Sequence, residues 1–331
     1  MKIPLRLVGC VVGFLALALT GALAQSPASF SIQLLSTFDY PGAGNQTRPQ
    51  KISDLGDVVG IYVDTALVSR GFVMLSNGTF SPPLVDPNDT GNLTEGRGIN
   101  NSRLVCGDYL DGTLGTFHGF FLLRNAYRNF DVPDSTTTIV LGLNNAGDFA
   151  GSATPTGGIQ EAFLSIGGTI TEFAVPNATA TLAYQLNTTN QSCGYYVDAA
   201  GINHGLFRNS DGTVRAPIDP VGSTGTILFG NNDMNLMVGR YSDAAGVTHG
   251  ILFVPPNQFV VYDFPGSTFT SLNGINRQGI VVGRYTDASG IDHGILARVV
   301  RGGTGVMLPL APPSTPAQGV PPGAVNVAPA Y

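Results

Sequence analysis

Four His-Gly steps, at His118, His204, His249 and His293, carry the side chains best suited to proton chemistry near neutral pH. Three of them follow a Tyr-x-Asp by a fixed interval (Tyr196 and Asp198, Tyr241 and Asp243, Tyr285 and Asp287), and Tyr109 and Asp111 stand one residue further from His118. An imidazole beside a carboxylate can move protons or, with further ligands, hold zinc. A catalytic histidine is normally singular, because it needs one pKa and one neighbour, whereas these four share one position of a repeat. Two more copies fill that position with Arg70 and Glu161, and the first of them keeps Tyr62 and Asp64. The set reads as a structural motif: each Asp caps a turn and orients the His across a hairpin, using groups the loop would leave unpaired. The competing reading is a ring of polar side chains for a ligand.

The elements that position them follow from the spacing. A glycine two residues before the Tyr recurs at Gly60, Gly107, Gly194, Gly239 and Gly283, and at Gly151 where the Tyr is lost, with intervals of 47, 44, 43, 45 and 44 residues. That period matches one four-stranded propeller blade. In the last unit Thr270 to Asn276 reads as a first strand, Asn276-Arg277-Gln278-Gly279 as a turn and Ile280 to Tyr285 as a second strand. Asp287 to Gly290 reads as a type I turn before a third strand at His293. The fourth strand ends in a tag such as Phe130-Asp131-Val132-Pro133 or Tyr262-Asp263-Phe264-Pro265. The tag occurs once before the first unit, as Phe38-Asp39-Tyr40-Pro41, and is missing after the last.

The expected fold is therefore all-β: a single β-propeller of six four-stranded blades, its ring closed by the N-terminal strand. Blades are expected at about 41–85, 86–132, 133–175, 176–219, 220–264 and 265–300, the last completed by residues 30–40. A rival closure uses Gly305 to Leu310. Residues 1–24 have the charged, apolar and small-residue order of a signal peptide, and the Gly-, Pro- and Ala-rich stretch 301–331 reads as a disordered tail.

In such a ring each His begins a third strand, roughly 9 Å outside the channel-lining strand. Histidines of different blades cannot then meet at one ion at about 2 Å, and no metal or cofactor is expected. Cys106 and Cys193 fall in a column otherwise held by Val59, Ala150, Val238 and Val282, and are expected as free, buried thiols.

Residues that break their column are the places where function can show. Arg48, Lys51 and Gln185 replace small or apolar equivalents on first strands, and Glu95 with Arg97 adds charge in the second unit. With Arg70 and Glu161 they are the candidate binding residues on the loop face or channel, the alternative being a solvated channel wall. The net charge of -6 and a single lysine beyond the leader argue against nucleic acid as a partner. No apolar run of the mature chain is long enough to span a membrane, so a secreted or periplasmic monomer is expected.

The pattern Gly-Ile-Asn-x-x-Gly-x-Val-Val-Gly-x-Tyr, followed by His-Gly-Ile-Leu, in Gly274 to Leu296, and its variant in Gly98 to Leu122, resembles the extracellular HAF-family repeat of bacterial secreted proteins. The resemblance covers roughly residues 38 to 300 and implies an exported bacterial propeller, with no reaction or ligand attached. The leading functional expectation is an exported binding or interaction module for an extracellular or periplasmic glycan or protein. An extracytoplasmic carbohydrate-active hydrolase or lyase at the channel mouth, using an acid such as Glu95, Glu161 or Glu172, is the alternative, and a structural envelope or matrix component is the third.

Overall fold

A computed structural model describes residues 29–302, 305–312 and 323–326. The leader expected at 1–24 lies outside them. Every repeat glycine sits where two strands come too close for a side chain: a Cβ on Gly60 would lie 2.7 Å from the Arg48 carbonyl oxygen and as close to the Phe72 ring. Five residues or so before the end of each first strand stands a threonine, Thr47, Thr94, Thr138, Thr181, Thr226 or Thr270, all fully buried. In five of the six its hydroxyl accepts the backbone N–H of the preceding tag, from Tyr40, Asp86, Val132, Val175 and Phe264. Thr226 has no such partner, because the tag residue six positions earlier is Pro220, which has no N–H to give.

The turns also follow from residue type. Asn100, Asn144, Asn187, Asn232 and Asn276 each accept two backbone N–H groups, two and four residues on, with the side-chain oxygen. Asp64, Asp198, Asp243 and Asp287 do the same at the next turn, and Asp111 does so with Thr113 and Leu114. These are Asx turns, which fix a loop without a partner strand.

The chain is all-β, with no helix among the described residues. The expected single propeller of six separate four-stranded blades is overturned by the strand pairing. Twelve strands join in one large mixed sheet, and the others form one five-stranded and two four-stranded sheets. Three physical features break the expected partition. Parallel bridges at Thr248 with Phe269 and at Gln46 with Asp292 fuse neighbouring repeats into the large sheet. The first repeat has three strands only, Ala43–Ile52, Val58–Asp64 and Ser69–Met74; beyond Met74, Pro82 and Pro83 lack ladder donors and only isolated bridges at Phe80 and Leu84 remain. Extra strands also add to the edges. Val306–Pro309 pairs with Gln258–Tyr262, and Gly323–Asn326 pairs with Thr169–Phe173.

The N-terminal strand Phe30–Phe38 lies antiparallel to Asp292–Arg301, while the residues of the rival closure pair elsewhere. Phe30 is buried in the same apolar cluster as Val238, Leu252, Leu272 and Ile295. The first strands of successive repeats contact one another in turn, and the last, Phe269–Ile275, contacts the first, Ala43–Ile52, so that they encircle a central channel.

Around the outside, each histidine is clamped. Nδ1 of His118, His204, His249 and His293 lies 2.6–3.0 Å from the tag carboxylates of Asp131, Asp219, Asp263 and Asp39. Nε2 faces the turn carboxylate at 3.4–3.5 Å in three of them and Thr116 in His118, and each ring stacks on the repeat Tyr. The hydrogen bond that His204 donates to Asp219 raises the pKa of the histidine. A raised folded-state pKa adds stability that is complete below the unfolded value near 6.5 and is lost as pH rises through the folded one. The stability difference between wild type and His204→Gln, from denaturant melts at about pH 5.5 and about pH 8.5, should therefore shrink at the higher pH. A constant difference would remove this coupling.

Candidate functional site

One local device aims side chains at the channel. Every first strand carries a register shift at the same place, between Pro49 and Lys51, Gly96 and Gly98, Val140 and Gly142, Ala183 and Gln185, Leu228 and Gly230, and Leu272 and Gly274. The extra residue of such a bulge is re-aimed out of the ladder. Here those residues are Gln50, Arg97, Leu141, Tyr184, Phe229 and Asn273. The residue after each bulge is glycine in four repeats, where backbones pass closely: a Cβ on Gly274 would lie 2.8 Å from the Lys51 Cα.

Lys51 and Gln185 are the two exceptions. The Lys51 side chain crosses the channel, and its Nζ donates to the carbonyls of Phe229 at 2.7 Å and Asn273 at 3.2 Å, 5.6 Å from the Tyr184 ring centre. Gln185 holds the Leu143 carbonyl at 3.4 Å and leaves its own oxygen buried without a partner. Burial pushes the Lys51 amine down to about 8 from 10.5. Because the unfolded chain keeps that proton more tightly, the folded state is penalised below about pH 8 and recovers as pH rises toward 10.5. Relative to Lys51→Met, wild type should gain on the order of 3 kcal/mol across that interval in urea melts. Parallel pH profiles would show that the amine is not desolvated.

On the Asn-turn side of this plug, the turns form two tiers. Asn side-chain N–H groups bond the next repeat's carbonyl at 3.1–3.3 Å, from Asn100 to Asn144, Asn187, Asn232, Asn276 and finally Ser53. Outside them Asp54 accepts from Asn101, Asn145 and the Arg277 backbone, and Arg277 pairs with Asp54 and Asp233. Most groups of this mouth satisfy one another, but the side-chain oxygens of Gln185 and Asn231, which line the cavity here, are buried without a partner.

The opposite side, toward the Asp turns, is different. The residue after each repeat glycine is Ile61, Asp108, Ser152, Tyr195, Arg240 or Arg284, a column of five residue types in six repeats. Arg48 bonds Asp292 at 2.7 Å, and Arg284 pairs with the same carboxylate oxygen. The Arg240 guanidinium lies 5.3 and 5.4 Å from the Phe229 and Phe269 ring centres, with no carboxylate partner among the described residues. Arg284 lies over the same Phe269 ring at 4.6 Å. Tyr184 meets Phe229 edge-on at 5.0 Å and Tyr195 at 5.9 Å. Desolvation lowers the pKa of Arg240 and takes Arg284 down to about 10.

Arg97 faces Asp108 at 2.8 Å and pairs also with Glu95, whose other oxygen accepts from Ser69. Burial pushes Asp108 upward against the pull of Arg97. A carboxylate pair does exist here, and one guanidinium engages both members, while the second oxygen of Asp108 is buried without a partner.

Of the residues singled out in the sequence, Arg48, Lys51, Glu95, Arg97 and Gln185 come together around the channel. Arg70 and Glu161 do not: Arg70 sits at the histidine position beside Asp64 at 3.6 Å, and Glu161 opens a third strand opposite Ala153. Glu172, across the same outer hairpin, has its pKa raised by burial and then by Glu161. Sequence reading missed Tyr184, Tyr195, Phe229, Arg240, Phe269, Arg284 and Asp292. For Tyr195, Arg240 and Arg284 the signal available was the column after the repeat glycine, where apolar, acidic, hydroxyl, aromatic and basic residues stand in different repeats. Cys106 and Cys193 are free and buried, and burial pushes the Cys193 thiol up to about 12.

No helix among the described residues is long and apolar enough to cross a membrane. No family model and no curated protein matches the chain. Among solved structures, the BP39L lectin from Burkholderia pseudomallei is similar at a TM-score of 0.46 and 10% identity, over 82% of this chain and 100% of its own.

Proposed function

We propose that this protein is an exported, non-enzymatic binding module whose ligand enters the channel mouth on the Asp-turn side. The observation that carries the reading is the convergence there of residues that break the repeat: Arg48, Arg240 and Arg284 with Tyr184, Tyr195 and Phe269. Repeated groups serve the scaffold, since the His and Asp side chains are consumed in clamps and turns, whereas these groups are not kept through the six repeats: Arg240 and Arg284 share one column, which the other copies fill with Ile61, Asp108, Ser152 and Tyr195. Part of the arc remains open to solvent: 35% of the Arg48 side chain is exposed. Export is supported by the order of residues 1–24, and kinship with the HAF repeat by the Gly274 to Leu296 motif.

The test is a glycan and peptidoglycan array probed with wild type and with the double variant Tyr195→Ala/Arg240→Gln. Wild type should bind a limited class of glycans and the variant should lose it with its far-ultraviolet spectrum intact. Equal binding by the two would move the site elsewhere. Turnover of a bound glycan, abolished by changing a single acid, would overturn the non-enzymatic reading.

A further inference from the structure

We infer that the ligand of this mouth is a compact organic carboxylate, gripped by Arg240 and Arg284. The inference rests on the binding-module reading above and names its chemical class.

Charge points first in this direction. Arg48 and Arg284 share one carboxylate, Asp292, and Arg240 has none among the described residues, so these three keep a positive excess inside a chain whose net charge is -6. Arg208, Arg215 and Arg301, by contrast, rest on Phe173, Phe253 and Phe30 away from this arc, each beside a single ring. Arg240 alone is held between two rings, and no carboxylate among the described residues reaches it. A guanidinium fixed by aromatic rings loses little freedom on binding, and its N–H groups match a planar, two-oxygen acceptor better than a point charge would. Leaving such a cation without an anion is costly in a desolvated setting, which a bound anion relieves.

The surroundings then decide the kind of anion. Phe229 and Phe269 lie against the two guanidiniums, with Tyr184 edge-on to Phe229, and a dianion would have to shed more water beside them than a monoanion. A phosphate is therefore the poorer fit. Tyr195 lies 5.9 Å from Tyr184 in this arc and is the ring on which a sugar would rest beside its carboxylate. The shared chemistry is the carboxylate, and the source is either a simple acid or a sugar acid.

Calorimetric titration at low ionic strength with sodium acetate, sodium galacturonate, galactose and inorganic phosphate separates these possibilities. Both carboxylates should bind, galacturonate the more tightly, with galactose silent and phosphate weaker. Arg240→Gln should weaken galacturonate binding about tenfold or more. That variant removes an unpaired charge and should fold; Arg301→Gln serves as the surface control and should bind as wild type does. Tighter binding of galacturonate than of acetate assigns the sugar acid; equal binding assigns the simple acid. Phosphate binding as tightly as the carboxylates, or galacturonate affinity unchanged in Arg240→Gln, would overturn the inference. Array binding retained by wild type while neither carboxylate binds would overturn it alone and leave the binding-module reading standing.

Discussion

Gly194→Ala should destabilise the protein by about 3 kcal/mol or more, lowering its melting temperature by roughly 10 °C. The added Cβ would lie inside the contact distance of the Leu182 carbonyl oxygen and 3.1 Å from the Ala183 Cα. Both atoms belong to the neighbouring strand, which pairs Gly194 with Ala183 just before its register shift. Side chains can turn away from an intruding methyl, but a ladder carbonyl cannot without giving up its hydrogen bond. The comparison that isolates the cause is Gly60→Ala, where the nearest oxygen stands at 2.7 Å and a Phe72 ring edge shares the crowding. The first substitution should cost more than the second. Equal and small shifts for both would mean that the column is glycine for some reason other than close approach.

The same contact explains what could be read from the chain and what could not. The repeat was visible because six strand crossings each demand a residue without a Cβ, which leaves a fixed period in the sequence. The turns were visible because Asn and Asp write their own geometry: the expected capping Asp at 64, 198, 243 and 287 holds its loop N–H groups as an Asx turn. The partition into sheets was not visible. It depends on lateral approach between repeats, as at Thr248 with Phe269, and on which outer edge a late segment such as Val306–Pro309 joins. No residue type encodes either one.

The site was half visible for a related reason. Lys51 and Gln185 stood out against glycines, and Arg48, Glu95 and Arg97 against neutral equivalents. Arg240 and Arg284 look unremarkable in Val-Gly-Arg-Tyr, because an Arg after a glycine in a strand normally faces water. What turns them into a site is the circle of first strands, which brings Phe229 and Phe269 around Arg240 and a second-strand Arg beside Asp292. The bulges that aim Tyr184 and Phe229 inward add one residue per strand without changing composition. A ring of weakly similar copies can thus hold a regular periphery and an irregular centre, with histidine clamps outside and unlike charges within.

Removing residues 26–40 should prevent folding or lower the melting temperature by more than about 15 °C. Phe30 is 5% exposed and Tyr40 8%, and burying two such aromatic residues contributes roughly 2 kcal/mol each. Ile32 packs on the same cluster as Phe30, Tyr40 stacks on Tyr62 at 4.0 Å, and the Phe38 ring rests against Gly294. Asp39 is the partner of His293, so the clamp of the last repeat would go as well. The sum approaches the whole stability of an ordinary domain, about 5 to 15 kcal/mol. Deletion would also uncover the ladder of Asp292–Arg301, a ten-residue edge open to pairing with other chains. Truncation after Pro312 leaves that edge covered and should cost far less, because it removes only the four-residue pairing with Thr169–Phe173 from the described structure. Soluble yield, light scattering and melting temperature of the two truncations, measured side by side, distinguish the cases. An N-terminal truncation that melts with wild type would show that the first strand is decoration on an already closed circle of repeats.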